Sequence, residues 1–201
     1  MKKGLLFVIS GPSGTGKGTI CAGLLERVAA ELSISMTTRA PREHENDGIN
    51  YFFVSKNRFA EVIEANGFYE YAEIYGEFYG TPKEPVEKKL EEGIDVVLEI
   101  DTQGALQVKE AFPEAILIFV LPPSISELRR RLEGRGTETK EKIETRLSKA
   151  KTEIDCLPEY DYYLVNDDID EAITAVESIM RSEHIRVRDN SFEIASRYTE
   201  E

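Results

Sequence analysis

Short apolar runs alternate with amphipathic stretches along most of the chain. The first run, residues 5–9, is continuously apolar, as expected of a strand buried on both faces. After a glycine-rich turn, Ile20, Leu24 and Val28 recur four residues apart, which predicts a helix with one buried face. Strands separated by helices imply right-handed crossovers, so the pattern predicts an α/β fold with about five parallel strands flanked by helices. The further predicted strands are residues 34–36, 94–100, 115–121 and 162–165, and the further helices are residues 102–111, 124–133, 138–156 and 167–188.

Residues 37–92 interrupt this alternation. A polar loop leads into an apolar stretch at residues 51–54, and Ser55 is the predicted N-cap of a short helix. Residues 69–81 are rich in aromatic side chains and contain two glycines, which predicts the strands of a small antiparallel sheet. A second region, residues 127–151, is dense in charges of both signs. We therefore predict a core (residues 1–33, 82–124 and 157–190), a small mixed α/β insert (34–81), a helical lid (125–156) and a C-terminal extension (191–201).

Composition narrows the class of protein further. The chain has 201 residues, of which 41% are hydrophobic, and its formal net charge is −13. This charge argues against nucleic acid as the main partner, because binding a polyanion requires a basic surface. Cys21 and Cys156 are too few for a disulfide framework or a metal site, and each apolar run is too short to span a membrane. We expect a soluble, cytoplasmic protein, whose oligomeric state the sequence leaves open.

A glycine-rich segment lies between the first predicted strand and the first predicted helix. In this context backbone N–H groups line a concave turn, and the helix N-terminus adds the positive end of its dipole, so the segment predicts a phosphate site. The lysine of the segment can reach the β- and γ-phosphates of a nucleotide. The segment consists of Gly11, Pro12, Ser13, Gly14, Thr15, Gly16, Lys17, Gly18 and Thr19.

The strict phosphate-loop pattern has Ser or Thr directly after the lysine, whereas here Gly18 stands between Lys17 and Thr19. This form resembles the loop of nucleoside monophosphate kinases. Whether Thr19 contacts Mg²⁺ directly or only through water stays open.

A second anion site is predicted around two arginines. Arg39 and Arg42 lie three residues apart with Pro41 between them, and together they can bind one phosphate. By themselves they would indicate only a solvent-exposed loop. The spacing of the residues that follow makes the pattern more specific. These residues are Glu45, Gly48, Tyr51, Phe53 and Val54.

This spacing resembles the signature of guanylate kinases, and the resemblance extends over residues 4–185. It includes the segments at residues 70–72, 79–81, 99–104, 131–138 and 165–168. The chain departs from many relatives at Glu43 and His44, where those have Pro and Gly, and from some relatives at Thr81, where they have Ser. Neither departure removes a group that the chemistry needs.

The resemblance implies a GMP-binding site in which Ser35, Arg39, Arg42, Tyr51 and Tyr79 surround the phosphate. The residues that it implies around the base are Glu70, Gly80, Thr81, Glu99 and Asp101.

Guanine chemistry fits this assignment. One carboxylate can accept hydrogen bonds from both N1–H and N2–H of guanine, and the hydroxyl of Thr81 can donate to O6. Adenine would place a lone pair against the carboxylate of Glu70, and such polar complementarity can discriminate by about 10⁴-fold. Asp101, at the carboxyl end of a predicted strand, has two open roles, contact with the base or with a water on Mg²⁺.

The resemblance also implies catalytic roles for Lys17, Arg42, Arg135 and Arg146, which would neutralise the charge of the transferring phosphoryl group. Arg131, Asn166 and Asp167 would contact the donor ATP. A solvent-exposed helix face is the alternative for the group that contains Arg131.

The function implied is transfer of the γ-phosphoryl group of ATP to GMP or dGMP. Mg²⁺ would be held by the nucleotide phosphates and water, with Thr19 or Asp101 as candidate contacts. Two alternatives stay open: a kinase for another nucleoside monophosphate, and a guanylate-kinase-like scaffold domain that binds proteins.

Overall fold

The computed structural model of the protein describes residues 3–134, 139–187, 195–196 and 198. Nine strands and seven α-helices are assigned within these residues. They are β1 (Leu6–Ser10), α1 (Lys17–Leu25), β2 (Ala30–Leu32), β3 (Met36–Thr37), β4 (Phe52–Phe53), α2 (Lys56–Glu64), β5 (Phe68–Ile74), β6 (Glu77–Pro82), α3 (Lys83–Glu91), β7 (Asp95–Glu99), α4 (Thr102–Ala111), β8 (Ile116–Leu121), α5 (Ile125–Gly134), α6 (Lys140–Ile154), β9 (Tyr162–Val165) and α7 (Ile169–Ile185).

The main sheet has five parallel strands in the order β2-β7-β1-β8-β9. One face of β1 presents Phe7 and Ile9 to the side chains of α1 and α7, and the other face presents Leu6 and Val8 to α3 and α4. Burial on both faces explains why the first apolar run has no polar alternation. The predicted α/β class with about five parallel strands is confirmed.

Most predicted core elements are confirmed with shifted ends, and two predictions are wrong. The predicted strand at residues 34–36 is replaced by β2 at the edge of the core sheet and by β3 in a second sheet. β2 is largely exposed, so its sequence lacks the apolar run by which buried strands are recognised. The first helix ends at Leu25, so Val28 packs against the core from a turn.

Helix α3 was not anticipated from the sequence. It has only two buried side chains, Val86 and Leu90, and Pro85 lies in its first turn. Proline is compatible with the first turn of a helix, but so short an apolar stripe gives a weak periodic signal.

The second sheet has four strands in the order β4-β3-β6-β5. It is mixed, because β3 and β4 are parallel while the other pairs are antiparallel. The antiparallel prediction for residues 69–81 is confirmed, since β5 and β6 pair antiparallel. The predicted N-cap is confirmed, since Ser55 Oγ accepts a 3.1 Å hydrogen bond from the backbone N–H of Arg58. Phe59 of α2 stacks on Phe68 with a ring-centroid distance of 4.4 Å.

Helices α5 and α6 pack together around their own apolar cluster, which includes Leu128, Leu132 and Leu147. This small core is separate from the two clusters on the faces of the main sheet. The limits predicted for the core, insert, lid and extension stay predictions. Within the described part of the chain, every helix is too short or too polar to cross a membrane.

Candidate functional site

The glycine-rich segment forms the turn between β1 and α1. Gly11, Gly14 and Gly16 have positive φ angles of 139°, 96° and 92°, which side-chain-bearing residues rarely adopt. A Cβ at Gly11 would lie 2.4 Å from the carbonyl oxygen of Val120, so glycine is also required there for space. The predicted strand–turn–helix context of a phosphate loop is therefore present.

The lysine of this loop is partly buried against its own backbone. Lys17 Nζ donates hydrogen bonds to the carbonyl oxygens of Gly11 (2.7 Å) and Pro12 (3.1 Å). Burial lowers the pKa of Lys17, and the negative charges of Glu99 and, more weakly, Glu153 counteract that shift. The loop thus contains at its centre a cation that is already held in place by two acceptors.

The far edge of the core sheet supports the loop through Asn166. Asn166 is buried directly after β9, and its Nδ2 donates a 2.7 Å hydrogen bond to the carbonyl oxygen of Thr15. Its own carbonyl oxygen accepts a 2.9 Å hydrogen bond from Nη2 of Arg131, whose Nε donates to Oε1 of Glu127 at 2.8 Å. Two residues predicted to contact ATP therefore form a chain of hydrogen bonds from α5 to the phosphate loop.

A cavity of about 580 Å³ opens over the loop. Helix α6 forms its opposite wall, and Nη1 of Arg146 donates a 3.1 Å hydrogen bond to Ser13 Oγ. The predicted residues Lys17, Thr19, Glu99, Asp101 and Arg146 meet here. The full lining consists of Gly11, Ser13, Gly14, Gly16, Lys17, Gly18, Thr19, Tyr75, Glu99, Asp101, Thr145, Arg146, Lys149 and Glu153.

Carboxylates line the side of this cavity that faces the core. Asp101 is the N-cap of α4 and accepts a 2.9 Å hydrogen bond from the backbone N–H of Gly104. Lys149 Nζ lies 4.0 Å from Asp101 Oδ2 and 3.5 Å from Glu153 Oε1. Burial raises the pKa of Glu153, which the positive charge of Lys149 counteracts. The cavity therefore combines cationic side chains with carboxylate oxygen atoms that can bind a metal ion.

A second polar centre lies on the paired strands β5 and β6. Glu70 and Thr81 are cross-strand partners and both are buried. Thr81 Oγ1 donates a 2.6 Å hydrogen bond to Glu70 Oε1. Burial raises the pKa of Glu70, and the hydrogen bond from Thr81 partly offsets this rise. The space for the carboxylate depends on Gly104 of α4, where a Cβ would lie 3.1 Å from Glu70 Oε2.

The predicted phosphate arginines lie in the loop between β3 and β4. Arg39 donates two parallel hydrogen bonds to the carboxylate of Glu45, at 2.9 and 2.8 Å, and its guanidinium lies over the rings of Tyr51 and Phe53. The bonds from Arg39 lower the pKa of Glu45 to about 2. Glu45 also accepts a 2.8 Å hydrogen bond from the backbone N–H of Arg42, so one acid orders both arginine positions.

Other predicted residues lie around this loop. Tyr79 contacts Tyr51 edge to face, with ring centroids 6.0 Å apart, and the carbonyl oxygen of Ser35 accepts a 2.9 Å hydrogen bond from the backbone N–H of Phe52. Gly80 is buried in β6, and Asp167 is exposed after β9. Arg135 lies outside the described residues. The binding roles of all these residues stay predictions.

Sequence reasoning missed four residues that line the cavity, namely Tyr75, Thr145, Lys149 and Glu153. Lys149 and Glu153 follow Arg146 at helical spacings of three and seven residues, so the helical periodicity of α6 was a usable signal for both. Tyr75 reaches the cavity only through the hairpin of β5 and β6, for which the sequence carries no comparable spacing.

The comparisons with known proteins agree with this geometry. The family model described as guanylate kinase matches residues 3–183. Guanylate kinase of Clostridioides difficile (strain 630) is 52% identical, covering 100% of this chain and 98% of that protein. Guanylate kinase of Caldanaerobacter subterraneus subsp. tengcongensis is 54% identical over 94% of this chain and 92% of the relative. The crystal structure of guanylate kinase from Anaplasma phagocytophilum has a TM-score of 0.74 at 34% identity, covering 93% of this chain and 89% of that one.

The parallel sheet, the glycine loop at the end of β1 and the lysine at the start of α1 define a P-loop nucleotide kinase. The chain belongs to the guanylate kinase family.

Proposed function

We propose that the protein transfers the γ-phosphoryl group of MgATP to GMP, or to dGMP, and so produces ADP and GDP or dGDP. The observation that carries this proposal is the presence of both a buried Glu70–Thr81 pair and a complete phosphate loop. Burial of a carboxylate costs stability, so a buried carboxylate is expected where function requires it. The family model that matches this chain is that of guanylate kinase. A cytoplasmic location and the exclusion of nucleic acid stay predictions from composition.

The pair recognises guanine by an exchange of hydrogen bonds. Without a base, the single hydroxyl hydrogen of Thr81 is donated to Glu70. When guanine binds, its N1–H and N2–H groups donate to the Glu70 carboxylate, which leaves the Thr81 hydroxyl to turn toward O6. Adenine offers an acceptor at N1, so its binding would leave the buried carboxylate without a donor from the base, at a cost that corresponds to a large discrimination.

The acceptor phosphate is bound by the arginine loop. Arg39 is held in a fixed plane by Glu45 and by two aromatic rings, and a preordered guanidinium loses little entropy when it binds an anion. Arg42 starts from the same loop, with Tyr51 and Tyr79 beside Arg39. The arginine loop lies between β3 and β4, whereas Glu70 and Thr81 lie on β5 and β6, which supports separate sites for the phosphate and the base of GMP.

The donor triphosphate is bound by the backbone N–H groups of the glycine loop, the N-terminus of α1 and Lys17. On binding, Lys17 exchanges two carbonyl acceptors for phosphate oxygens, which form stronger, charge-assisted hydrogen bonds. Thr19, Glu99 and Asp101 supply oxygen atoms on the same cavity wall, and oxygen is the donor type that Mg²⁺ prefers. Mg²⁺, when bound, neutralises charge on the nucleotide phosphates.

Transfer requires cations around the phosphoryl group and the exclusion of water. Arg146 enters the cavity from α6, Arg42 comes from the insert, and Arg135 belongs to the segment between α5 and α6. We infer that the insert and the α5–α6 pair close on the core around both nucleotides, since an open site would hydrolyse ATP.

The test is a coupled assay of ADP release with GMP, dGMP, AMP, CMP and UMP as acceptors, each with ATP and Mg²⁺. We expect GMP and dGMP to be used and the other acceptors to be rejected by at least about 10³-fold in kcat/KM. Preference for AMP, CMP or UMP would assign the chain to another monophosphate. Lack of turnover with every acceptor, in protein that binds neither GMP nor ATP by calorimetry, would favour a scaffold role.

A further inference from the structure

The tip of the β5–β6 hairpin carries an exposed aromatic residue in an unfavourable backbone conformation. Tyr75 and Gly76 form the two-residue turn, with φ angles of 53° and 81°. Turns with positive φ at both central residues strongly prefer Asn, Asp or Gly, and Asn-Gly is the common solution. Tyrosine is a costly choice at the first of these positions.

The local structure gives no compensation for this choice. The side chain of Tyr75 is fully exposed, so its ring gains no burial within the hairpin. A residue that violates a local preference without a local gain is expected where function requires it.

The tip is nevertheless held firmly in position. Lys56 Nζ, at the start of α2, donates a 2.7 Å hydrogen bond to the carbonyl oxygen of Gly76. Thr38 Oγ1 donates a 2.5 Å hydrogen bond to Glu77 Oε2 and accepts one of 2.9 Å from the backbone N–H of Phe78. The hairpin therefore exposes the aromatic ring of Tyr75 on a turn that hydrogen bonds hold in position.

Tyr75 borders the cavity over the phosphate loop, together with Arg146 and Lys149 of α6. It is the part of the insert that reaches this cavity, since every other lining residue belongs to the core or to α6. An exposed aromatic ring and two cationic side chains thus border the same cavity.

We propose that Tyr75 is a positioning residue for phosphoryl transfer. When the insert and α6 close around the two nucleotides, the ring of Tyr75 packs against the side chains of Arg146 and Lys149. A cation over an aromatic ring is stabilised, and more so when water is excluded. The contact holds Arg146 toward the transferring phosphoryl group and covers the cavity on its solvent side. This inference rests on the proposed function.

The chain contains no tryptophan, which permits a direct test of the closed state. In the full-length Tyr75→Trp variant, the only tryptophan marks the tip. We expect acrylamide quenching of its fluorescence to fall at least about threefold when GMP and a non-hydrolysable ATP analogue are both present, because the closed cavity shields the ring. The matched control is Tyr163→Trp on the exposed edge strand β9, whose quenching should not change. Unchanged quenching at position 75 in a complex that binds both nucleotides would overturn the proposal.

Kinetics separate a positioning role from a structural one. Tyr75→Asn suits the turn, so we expect its melting temperature to rise while kcat for GMP falls roughly tenfold, with KM for GMP within about twofold of the unsubstituted chain. ATP hydrolysis relative to transfer should increase, and Tyr75→Phe, which keeps the ring, should restore kcat. An Asn variant with full kcat and no added hydrolysis would overturn the proposal. Failure of the proposed function itself would show differently, as an unsubstituted chain that does not phosphorylate GMP.

Discussion

The hydroxyl of Thr81 lies 2.6 Å from Oε1 of Glu70, across a pair of antiparallel strands. This hydrogen bond supplies the buried carboxylate with a donor. Burial still dominates, so the pKa of Glu70 stays above its ordinary value. The carboxylate is thus held, at a cost to stability, in the orientation that the proposed recognition of guanine requires.

Replacement of this carboxylate should affect binding and stability in opposite directions. We expect Glu70→Gln to lower kcat/KM for GMP by ~10²-fold or more, because the amide NH₂ faces the guanine N–H donors. The same change removes a buried charge and should raise the melting temperature at neutral pH. Glu73→Gln, on the exposed side of the same strand, is the matched control. A Glu70→Gln variant that kept its preference for GMP over AMP would exclude Glu70 as the base reader.

The raised pKa of Glu70 also predicts a pH dependence. As pH falls, this carboxylate takes up a proton at a pH above 4.5, the ordinary pKa of a Glu side chain. A protonated carboxyl group accepts hydrogen bonds from guanine less well. As pH is lowered, KM for GMP should therefore begin to rise at a higher pH than it would with a Glu of ordinary pKa. The Glu70→Gln variant should lack this rise of KM on acidification. KM measured across mildly acidic pH, with ATP saturating, gives the test; identical profiles for both proteins would contradict it.

The raised pKa of Glu70 also makes the free energy of unfolding depend on pH, because proton binding and folding are linked. Between 4.5 and the raised pKa, the folded protein holds the Glu70 proton and the unfolded chain has released it. The contribution of Glu70 to the free energy of unfolding is therefore most favourable below 4.5 and decreases as pH rises through that window. Urea unfolding at several pH values should show this slope reduced in Glu70→Gln; a slope unchanged by the substitution would be incompatible with the raised pKa.

Removal of the loop lysine should abolish turnover without unfolding the protein. We expect Lys17→Ala to lower kcat by ~10³-fold or more, because Lys17 supplies the positive charge held against the loop carbonyls of Gly11 and Pro12. The far-ultraviolet circular dichroism spectrum should be unchanged. Lys151→Ala, exposed on α6, serves as control. Activity of the Lys17→Ala variant near the normal level would refute the phosphate role.

Asn166 tests whether loop geometry depends on support from the sheet edge. Asn166→Asp cannot donate to the carbonyl oxygen of Thr15 and adds a negative charge beside the loop. We expect KM for ATP to rise at least about tenfold. GMP binding, measured by calorimetry, is the internal control and should change less than about twofold. An equal loss of both ligands would point to general unfolding instead.

The core of this fold was predictable because its strands are buried on both faces. The runs that became β1, β7 and β8 are continuously apolar, and that signal does not depend on tertiary context. The edge strand β2 and the helix α3 were not predicted, since each has few buried side chains and takes its structure from its neighbours.

The features of the candidate site also differ in how well the sequence predicts them. Lys17 and its loop were predictable because all the atoms involved lie within one short consecutive segment. The bond between Asn166 and Thr15 joins positions 151 residues apart, and the turn conformation of Tyr75 contradicts the preference of its residue type. Such features arise from packing and function, so propensity and spacing do not reveal them.

The hairpin of β5 and β6 is attached to the core near one end. Beside Glu70, the backbone N–H of Tyr71 donates a 3.2 Å hydrogen bond to Gln107 Oε1 of α4, and Gly104 leaves room for the carboxylate. In the proposed closure, Glu70 would therefore lie near the attachment of the insert to the core, where displacement is smallest, and Tyr75 at the distal end would move farthest. We expect Glu70 to distinguish the bases before the insert and the α5–α6 pair close, so that a wrong purine is released from the open enzyme.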